Sequence, residues 1–310
     1  MSCYLLYYIG GMGIIGTFPE GIVSLSSLRS IRIGFDELKG LLPDYLANMK
    51  HLMEIALPGN MLTGTIPETW FESRMINRIN VEDNQITGTI SEGISNRIDL
   101  QELIVRDNNF TGTIPNELGS NCINMINLRL DGNSFNGTFP STLSNMEHIS
   151  IFDISNNVIT GTIPEEIGNW ALIGEFFVNN NLLTGTIPER FWDAEKLILI
   201  DMSNNKLSGE ISGKITKMYD LTSISIENNQ FTGQFPARLG QTYIQYIYAS
   251  GNQFNGTVAS QLCDLVTEGQ LIDLVFDCAT PIGAEPEIIC PKECCTLCCN
   301  PYGENCAKPI

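Results

Sequence analysis

Cysteine is the residue type in this sequence with the clearest capacity for chemistry. Eight of the ten cysteines lie near the C-terminus: Cys263, Cys278, Cys290, Cys294, Cys295, Cys298, Cys299 and Cys306. One interpretation is an extracellular disulfide cap, and the other is a zinc site built on the C-x-x-C spacing of Cys295 and Cys298. Such zinc sites use a second pair or separated histidines, and neither His51 nor His148 is near in sequence. The even number favours disulfides, whose pairing stays open because eight cysteines allow on the order of a hundred combinations.

Catalytic chemistry has little support elsewhere in the sequence. It contains no G-x-S-x-G, Walker loop, H-E-x-x-H or kinase signature, and acidic pairs such as Glu165 and Glu166 are typical of a solvated surface. The formal net charge of -18 argues against nucleic acid as a partner, because phosphates require a basic surface. We therefore predict a protein that is not an enzyme and that holds neither a metal nor a cofactor.

Three N-x-T triplets are candidate glycosylation sites. They begin at Asn109, Asn136 and Asn255. Such triplets are acceptors for N-linked glycans in the secretory pathway, where disulfides also form. Together with the cysteine group they predict an extracellular or cell-surface location.

A short motif of type G-x-[IFLV]-[PSA] recurs eleven times and organises most of the chain. Its steps are 24 residues, apart from one of 25 and one of 23, and its glycines are Gly16, Gly40, Gly64, Gly88, Gly112, Gly137, Gly161, Gly185, Gly209, Gly233 and Gly256. Self-similarity at such a period is typical of a solenoid, in which each unit packs only on its neighbours. A stack of this kind forms a long surface and rarely a catalytic pocket.

A longer frame surrounds each glycine and reads L-x-x-L-x-L-x-x-N-x-L-x-G-x-I-P-x-x-L. In the fifth unit its residues are Leu100, Leu103, Val105, Asn108, Phe110, Gly112, Ile114, Pro115 and Leu118. This frame resembles the leucine-rich-repeat family, and its G-x-I-P half is similar to the plant-type repeats of receptor ectodomains and polygalacturonase-inhibiting proteins. The C-terminal cysteine cluster is similar to the ends of diatom leucine-rich-repeat proteins. The resemblance implies an α/β fold, a right-handed horseshoe-shaped solenoid with a parallel concave sheet and short helical or 3-10 segments on its convex side.

Asparagine occupies the ninth place of nine units. We interpret this column as structural, because a buried amide can satisfy backbone groups where the chain turns out of a strand. Met12 and Asp36 take the same place in the first two units. The predicted asparagine ladder comprises Asn60, Asn84, Asn108, Asn133, Asn157, Asn181, Asn205, Asn229 and Asn252.

The repeat pattern also predicts the domain organisation. Eleven repeats of about 24 residues cover 4–267, and a cysteine-rich cap covers 268–310. No capping segment precedes the first repeat, so we expect that an N-terminal cap is missing and that sequence outside this chain could supply a membrane linkage. Within the chain itself, no run of 18 apolar residues predicts a transmembrane helix.

Ligand binding is expected on the concave sheet, whose outward side chains are not needed by the core. Equivalent positions on stacked strands lie roughly 4.8 Å apart and can together form one binding surface. The resemblance to receptor ectodomains implies that the partner is a protein, a peptide or a cell-wall glycan. The candidate ligand-binding residues are Arg106, Arg129, Asp131, Asp153, Phe177 and Asp201, with Phe177 as an aromatic anchor.

Two alternative functions stay open. In five units threonines flank the repeat glycine, as at Thr87 and Thr89, and residues two apart in a strand point to the same side. The resulting ladder resembles the T-x-T arrays of ice-binding solenoids, although β-branched threonine also suits a short structural strand. The second alternative, implied by the resemblance to polygalacturonase-inhibiting proteins, is inhibition of a cell-wall-degrading enzyme.

Overall fold

The computed structural model describes residues 5–236, 239, 243–278, 288–291, 294–299 and 306. Residue 4, the predicted start of the first repeat, lies outside the described residues, as do most of 279–310. The chain divides into two compact units, Met1–Val158 (unit 1) and Ile159–Ile310 (unit 2). Each unit has a main sheet, formed by the first strand of every repeat, and a second sheet, formed by the short strand around the repeat glycine.

Unit 1 contains seven parallel strands of the main sheet, paired in chain order. They are β1 (Leu5–Gly10), β3 (Leu28–Gly34), β5 (Glu54–Ala56), β7 (Arg78–Asn80), β9 (Glu102–Ile104), β11 (Asn127–Arg129) and β13 (Ile151–Asp153). The second sheet consists of β2 (Ile15–Gly16), β4 (Glu37–Leu41), β6 (Met61–Gly64), β8 (Gln85–Gly88), β10 (Asn109–Thr113) and β12 (Ser134–Asn136). The helical segments are α1 (Glu68–Glu72), α2 (Asn116–Asn121) and 3-10 turns at Glu20–Ser24, Asp44–Asn48, Glu92–Asn96 and Ser141–Asn145.

Unit 2 has the same plan. Its main-sheet strands are β14 (Glu175–Phe177), β16 (Leu199–Asp201), β18 (Ser223–Ser225), β20 (Tyr246–Tyr248), β23 (Asp273–Phe276) and β25 (Leu297–Cys298). The second-sheet strands are β15 (Thr184–Thr186), β17 (Lys206–Gly209), β19 (Gln230–Gly233) and β21 (Gln253–Phe254), and β22 (Gly256–Thr257) pairs with β24 (Ile288–Ile289). Its helical segments are α3 (Ser260–Thr267) and 3-10 turns at Glu165–Asn169, Glu189–Asp193 and Gly213–Lys217. The predicted solenoid of parallel strands with short helical or 3-10 segments is confirmed.

The core of each repeat is formed by the apolar positions of the frame. Leu103 and Val105 are fully buried, and Phe110 stacks on Phe135 of the next repeat with ring centroids 5.9 Å apart. The fifth repeat therefore buries its apolar face on the next repeat, which is the source of hydrophobic stabilisation in a solenoid.

The asparagine side chains connect adjacent repeats through hydrogen bonds to the backbone. The Nδ2 group of Asn84 donates to the carbonyl oxygens of Leu57, Val81 and Glu82 at 2.9, 3.1 and 3.0 Å. Its Oδ1 atom accepts from the Leu62 N–H group at 3.0 Å. The amide thus satisfies backbone groups that the main sheet leaves unpaired where the chain turns. The Oδ1 atom makes the equivalent bond at Asn60, Asn108, Asn133, Asn157, Asn181, Asn205, Asn229 and Asn252.

Asp36 takes the place of asparagine in the second repeat but provides only half of this bonding. Its Oδ1 atom accepts from the N–H groups of Met12 and Ile14, both at 3.0 Å. Its Oδ2 atom is buried and has no hydrogen-bond partner among the described residues. A carboxylate oxygen cannot donate to backbone carbonyl groups as an amide nitrogen does, so this position is a defect in the ladder.

Disulfides join the eight C-terminal cysteines. The pairs are Cys263–Cys294, Cys278–Cys298, Cys290–Cys295 and Cys299–Cys306. Although the sulfur atoms of Cys278, Cys290 and Cys295 lie within 4.8 Å of one another, all three are oxidised and cannot supply the thiolates that zinc requires.

The main sheet extends beyond the predicted end of the repeats at residue 267. Strand β23 pairs with β20, and β25 of the cysteine-rich segment pairs with β23. Leu274 and Phe276 are buried as repeat leucines are, and the Phe276 carbonyl accepts from the Cys299 N–H group at 2.9 Å. The cysteine cap therefore covers the last repeat by adding strands to its sheet. Of the helices in the described part of the chain, none has the length and hydrophobicity needed to cross a membrane.

Candidate functional site

The outer face of the main sheet, opposite the buried leucines, presents one column of side chains in each unit. In unit 1 Ile104 pairs in register with Arg129, and Arg129 pairs with Asp153. In unit 2 the register joins Phe177 to Asp201, Ser225 and Tyr248 in turn. The column arises because side chains alternate between the two faces of a strand, so the position between two core residues must point outward. Four of the six predicted ligand-binding residues lie in unit 1 and two in unit 2.

A charged cluster, Arg106, Arg129, Asp131 and Asp153, lies on this face in unit 1. The Nε atom of Arg106 is 3.4 Å from Oδ2 of Asp131, and its Nη2 atom is 3.1 Å from Oδ2 of Asp107. Asp131 is only 6% exposed and Asp153 only 8%. Such burial is unusual for carboxylates on a sheet surface and was not expected from the sequence.

Burial alters the ionisation of both carboxyl groups. The pKa of Asp131 is raised to about 7, mainly by desolvation and next by repulsion from Asp153, while Arg106 opposes the shift. Desolvation also raises the pKa of Asp153, and this shift is opposed by hydrogen bonds from Ser155 and by the charge of Arg129. The two carboxyl groups therefore repel each other in a site of low polarity.

Asp153 and Asp201 share a local role at the ends of their strands. The Oδ1 atom of Asp153 accepts from the Ser155 N–H group, and that of Asp201 accepts from the Ser203 N–H group, both at 2.9 Å. An aspartate that bonds the backbone two residues on stabilises the turn after the strand. These two predicted binding residues thus also contribute to folding.

Unit 2 contains an aromatic group that the sequence reading missed. The Tyr248 hydroxyl donates to Oδ2 of Asp273 at 2.9 Å, and the Tyr246 and Tyr248 rings stack 6.3 Å apart. Desolvation and the hydrogen bond to Asp273 raise the pKa of Tyr248 to about 12. Tyr248 lies in the outward column of unit 2, but Asp273 lies past the predicted last repeat, so the repeat frame did not predict their hydrogen bond.

Contacts within the second sheet explain why threonines flank the repeat glycine, an arrangement called here the T-G-T motif. The first threonine donates to a glycine carbonyl of the preceding repeat, as from Thr87 to Gly64 at 3.0 Å. The second threonine covers the next glycine: a Cβ atom added to Gly112 would lie 2.7 Å from the Thr89 methyl group. Gly112 also has a positive φ of 78°, which glycine adopts readily. All three residues of the motif therefore have structural roles.

The three candidate glycosylation residues lie on the second-sheet side of their repeats. Asn109 is the first residue of β10, Asn136 is the last residue of β12, and Asn255 lies between β21 and β22. All three are exposed. Glycans at these positions would project from the second-sheet side and leave the outer face of the main sheet open.

Unit 1 also contains a cleft of about 570 Å³ on its helical side, which the repeat frame did not predict. Its lining includes Phe18, Leu41, Pro43 and Tyr45 together with Lys39 and Asp44. The Tyr45 hydroxyl donates to the Phe18 carbonyl at 3.3 Å, so part of its polar lining is already used within the protein.

Comparison with known proteins supports the repeat assignment. The model of the Leucine Rich Repeat family matches residues 99–121, 124–146 and 148–170. A search of curated proteins found no match.

Solved structures of plant receptors are similar to this chain. The plant peptide hormone receptor RGFR1 in complex with RGF2 is 26% identical over 88% of this chain and 42% of its own, with a TM-score of 0.75. The Arabidopsis receptor kinase HAESA LRR ectodomain, in complex with an N-terminally extended IDA peptide hormone ligand, is 26% identical over 98% of this chain and 55% of its own, with a TM-score of 0.70. The present chain thus spans about half the length of these receptor structures.

A plant ice-binding protein shares the fold at lower identity. It is 22% identical over 74% of each chain, with a TM-score of 0.64. The family model, the parallel strands and the receptor structures agree: residues 99–170 match the Leucine Rich Repeat family, and the chain is similar to plant leucine-rich-repeat receptor ectodomains.

Proposed function

We propose that this chain is a non-catalytic extracellular recognition module that binds a peptide or protein through the outer face of its main sheets. The observation that carries the proposal is the contrast between the two sheets. The second sheet repeats one structural motif, whereas the outward columns of the main sheets vary from repeat to repeat and include partly buried charges and aromatic rings. Variation at positions that the core does not need is what recognition requires.

The structural neighbours support a peptide more than the other ligand classes. RGFR1 is in complex with RGF2, and HAESA is in complex with a peptide hormone. A cell-wall glycan, also predicted from the sequence, has no support in these neighbours, and inhibition of a wall-degrading enzyme stays a prediction. The disulfides and exposed glycosylation residues favour an extracellular or cell-surface location.

Selection from a displayed random-peptide library tests the proposal on the full glycosylated chain. Peptides selected on the wild type should bind an Ile104→Arg/Arg129→Glu variant at least tenfold more weakly. A buried or reversed charge in a contact reduces the binding free energy by on the order of 2 kcal/mol. A Gln85→Glu/Thr87→Arg variant changes the exposed second sheet to a similar extent and should bind as the wild type does. Selected peptides that depend on the second sheet alone would contradict the proposal.

Ice binding is a second candidate, favoured by the exposed threonines of the second sheet. Thr65, Thr89 and Thr113 are exposed and occupy equivalent positions in successive repeats. An ice-recrystallisation assay with the glycosylated protein separates the two candidates: inhibition that is lost in a Thr89→Tyr variant would support ice binding, and ordinary crystal growth would exclude it.

A further inference from the structure

The outer face of the main sheet contains a buried carboxylate oxygen, Oδ1 of Asp131, that lacks a partner among the described residues. The Oδ1 atom of Asp131 is inaccessible to solvent and has no hydrogen bond among the described residues, although Asp131 is only 6% exposed. An unpartnered buried carboxylate oxygen is costly, so such atoms are rare in folded proteins. Asp131 lies two residues after β11, at an outward position beside Arg106.

The surroundings of Asp131 determine which kind of group can be the hydrogen-bond partner of its Oδ1 atom. Because Oδ1 is an acceptor, the missing partner must provide an N–H or O–H donor. The guanidinium group of Arg106 already contacts Asp107 at 3.1 Å and the other oxygen of Asp131 at 3.4 Å. The carboxyl group of Asp153 adds a second negative charge to the site. Glu82 also acts on Arg106, so with all six groups ionised the two arginines face four carboxylates and the site has a net negative charge.

We propose that the charged cluster binds the cationic side chain, lysine or arginine, of a peptide ligand: the partly exposed Arg106 side chain turns aside, and a donor of the ligand reaches Oδ1 of Asp131. This inference rests on the proposed function, since it names the ligand chemistry of the same sheet face. A cation offsets the repulsion between the Asp131 and Asp153 carboxylates and reduces the net negative charge of the site. Hydrogen bonds between charged partners are also stronger than neutral ones.

The charged cluster should bind a cation in a pH-dependent manner. The charged groups around Asp131 come from three strands. Arg106 and Asp107 follow β9, and Asp153 ends β13. Arg129 ends β11, the strand that precedes Asp131. Because burial and Asp153 raise the pKa of Asp131 to about 7, the carboxylate forms as the pH rises through that value. Affinity for a cationic side chain should therefore increase over the same interval.

The test uses the peptide acetyl-Gly-Gly-Arg-Gly-Gly-amide and its citrulline analogue, which has the same shape without the charge. Carbon-detected NMR of the full chain follows the Asp131 carboxyl resonance, assigned by its absence in Asp131→Asn. We expect the arginine peptide to shift this resonance, to lower the pKa of Asp131, and to bind about tenfold more weakly to Asp131→Asn than to the wild type. The citrulline peptide should have none of these effects.

Asp83→Asn is the matched control, because it removes one negative charge from an exposed turn position of the same unit where other repeats have asparagine. It should bind the arginine peptide as the wild type does. Equal weakening by Asp83→Asn and Asp131→Asn would show a nonspecific effect of net charge and overturn the inference. A resonance that titrates with pH but does not respond to the peptide would also overturn it, as would a response to Ca²⁺ alone. These outcomes would not contradict the proposed function. That proposal is contradicted by a different result, namely selected peptides whose binding does not depend on the main sheet.

Discussion

Two regions of unit 1 bury polar side chains with different results. In the asparagine ladder, both ends of an amide such as Asn84 are used, and its four hydrogen bonds are between 2.9 and 3.1 Å. In the charged cluster of the main sheet, Asp131 is buried to a similar extent but keeps one oxygen without a partner. A fully satisfied group contributes to stability, whereas an unsatisfied one lowers stability and provides capacity to bind.

The largest effect is expected from breaking the ladder with Asn84→Ala. This change leaves the Leu62 N–H group without its acceptor and removes the Asn84 donor from the Val81 carbonyl, which keeps the bond from Asn108, at a cost of about 3 kcal/mol. Chemical denaturation measures the loss. Asn116→Ala, at an exposed residue, should change the free energy of unfolding by less than about 0.5 kcal/mol. Equal effects of the two changes would refute the structural role of the ladder.

A smaller loss is expected from Gly112→Ala in the second sheet. Gly112 has φ of 78°, and its new Cβ atom would lie 2.7 Å from the Thr89 methyl group. Strain and repacking should cost about 2 kcal/mol in thermal or chemical unfolding. Gly213→Ala is the control, because no atom lies within 4 Å of its new Cβ atom, and no destabilisation is expected.

Arg97→Met should raise stability, since it removes a second unsatisfied group. Arg97 is 3% exposed, its Nη1 and Nη2 atoms have no partner in the described part of the chain, and desolvation lowers its pKa. A methionine of similar length should stabilise the protein by about 1 to 2 kcal/mol. Arg74→Met, at an exposed position, should be neutral. Destabilisation by Arg97→Met would show that the guanidinium has a partner in solution.

Asp131 should make stability depend on pH. Its folded pKa of about 7 lies above the ordinary value of an aspartate, so the folded state binds more protons than the unfolded state between about pH 4 and 7. The stabilisation is complete below this interval and is lost as the pH rises through about 7. Between the two ends of the interval, the unfolding free energy of the wild type should fall by about 3 kcal/mol more than that of Asp131→Asn. Parallel profiles would place Asp131 in a more solvated environment.

The smallest change is expected from completing the ladder with Asp36→Asn. The new amide nitrogen would donate where Oδ2 of Asp36 now lacks a partner, and the Oδ1 bonds to Met12 and Ile14 would be kept. A gain of about 1 kcal/mol is expected in chemical denaturation. A loss of stability would indicate that the carboxylate has a role of its own at this position.

Much of the fold followed from the repeat frame. The spacing of Leu103, Val105 and Asn108 predicted a short strand and a turn in every unit, and the structure contains them. The main sheet nevertheless extends to β23 and β25, because the cysteine-rich segment pairs with the last repeat through its backbone and needs no leucine frame to do so. The disulfide pairing likewise depended on which sulfur atoms the folded chain brings together.

The position of the candidate site was predictable from the sequence, but the burial and hydrogen bonding of its side chains were not. Alternation along the strands placed Arg129 and Asp153 on the outer face, because a period of two is a local property of the backbone. Their environment was not local: the burial of Asp131, its unpartnered oxygen and the Tyr248–Asp273 bond depend on side chains from adjacent strands. The sequence alone thus determined the repeat, the ladder and the outward columns, since these rest on spacing along one chain. Only the tertiary structure decided which of the outward charged side chains are buried, because their desolvation depends on neighbours some 24 residues away in the chain.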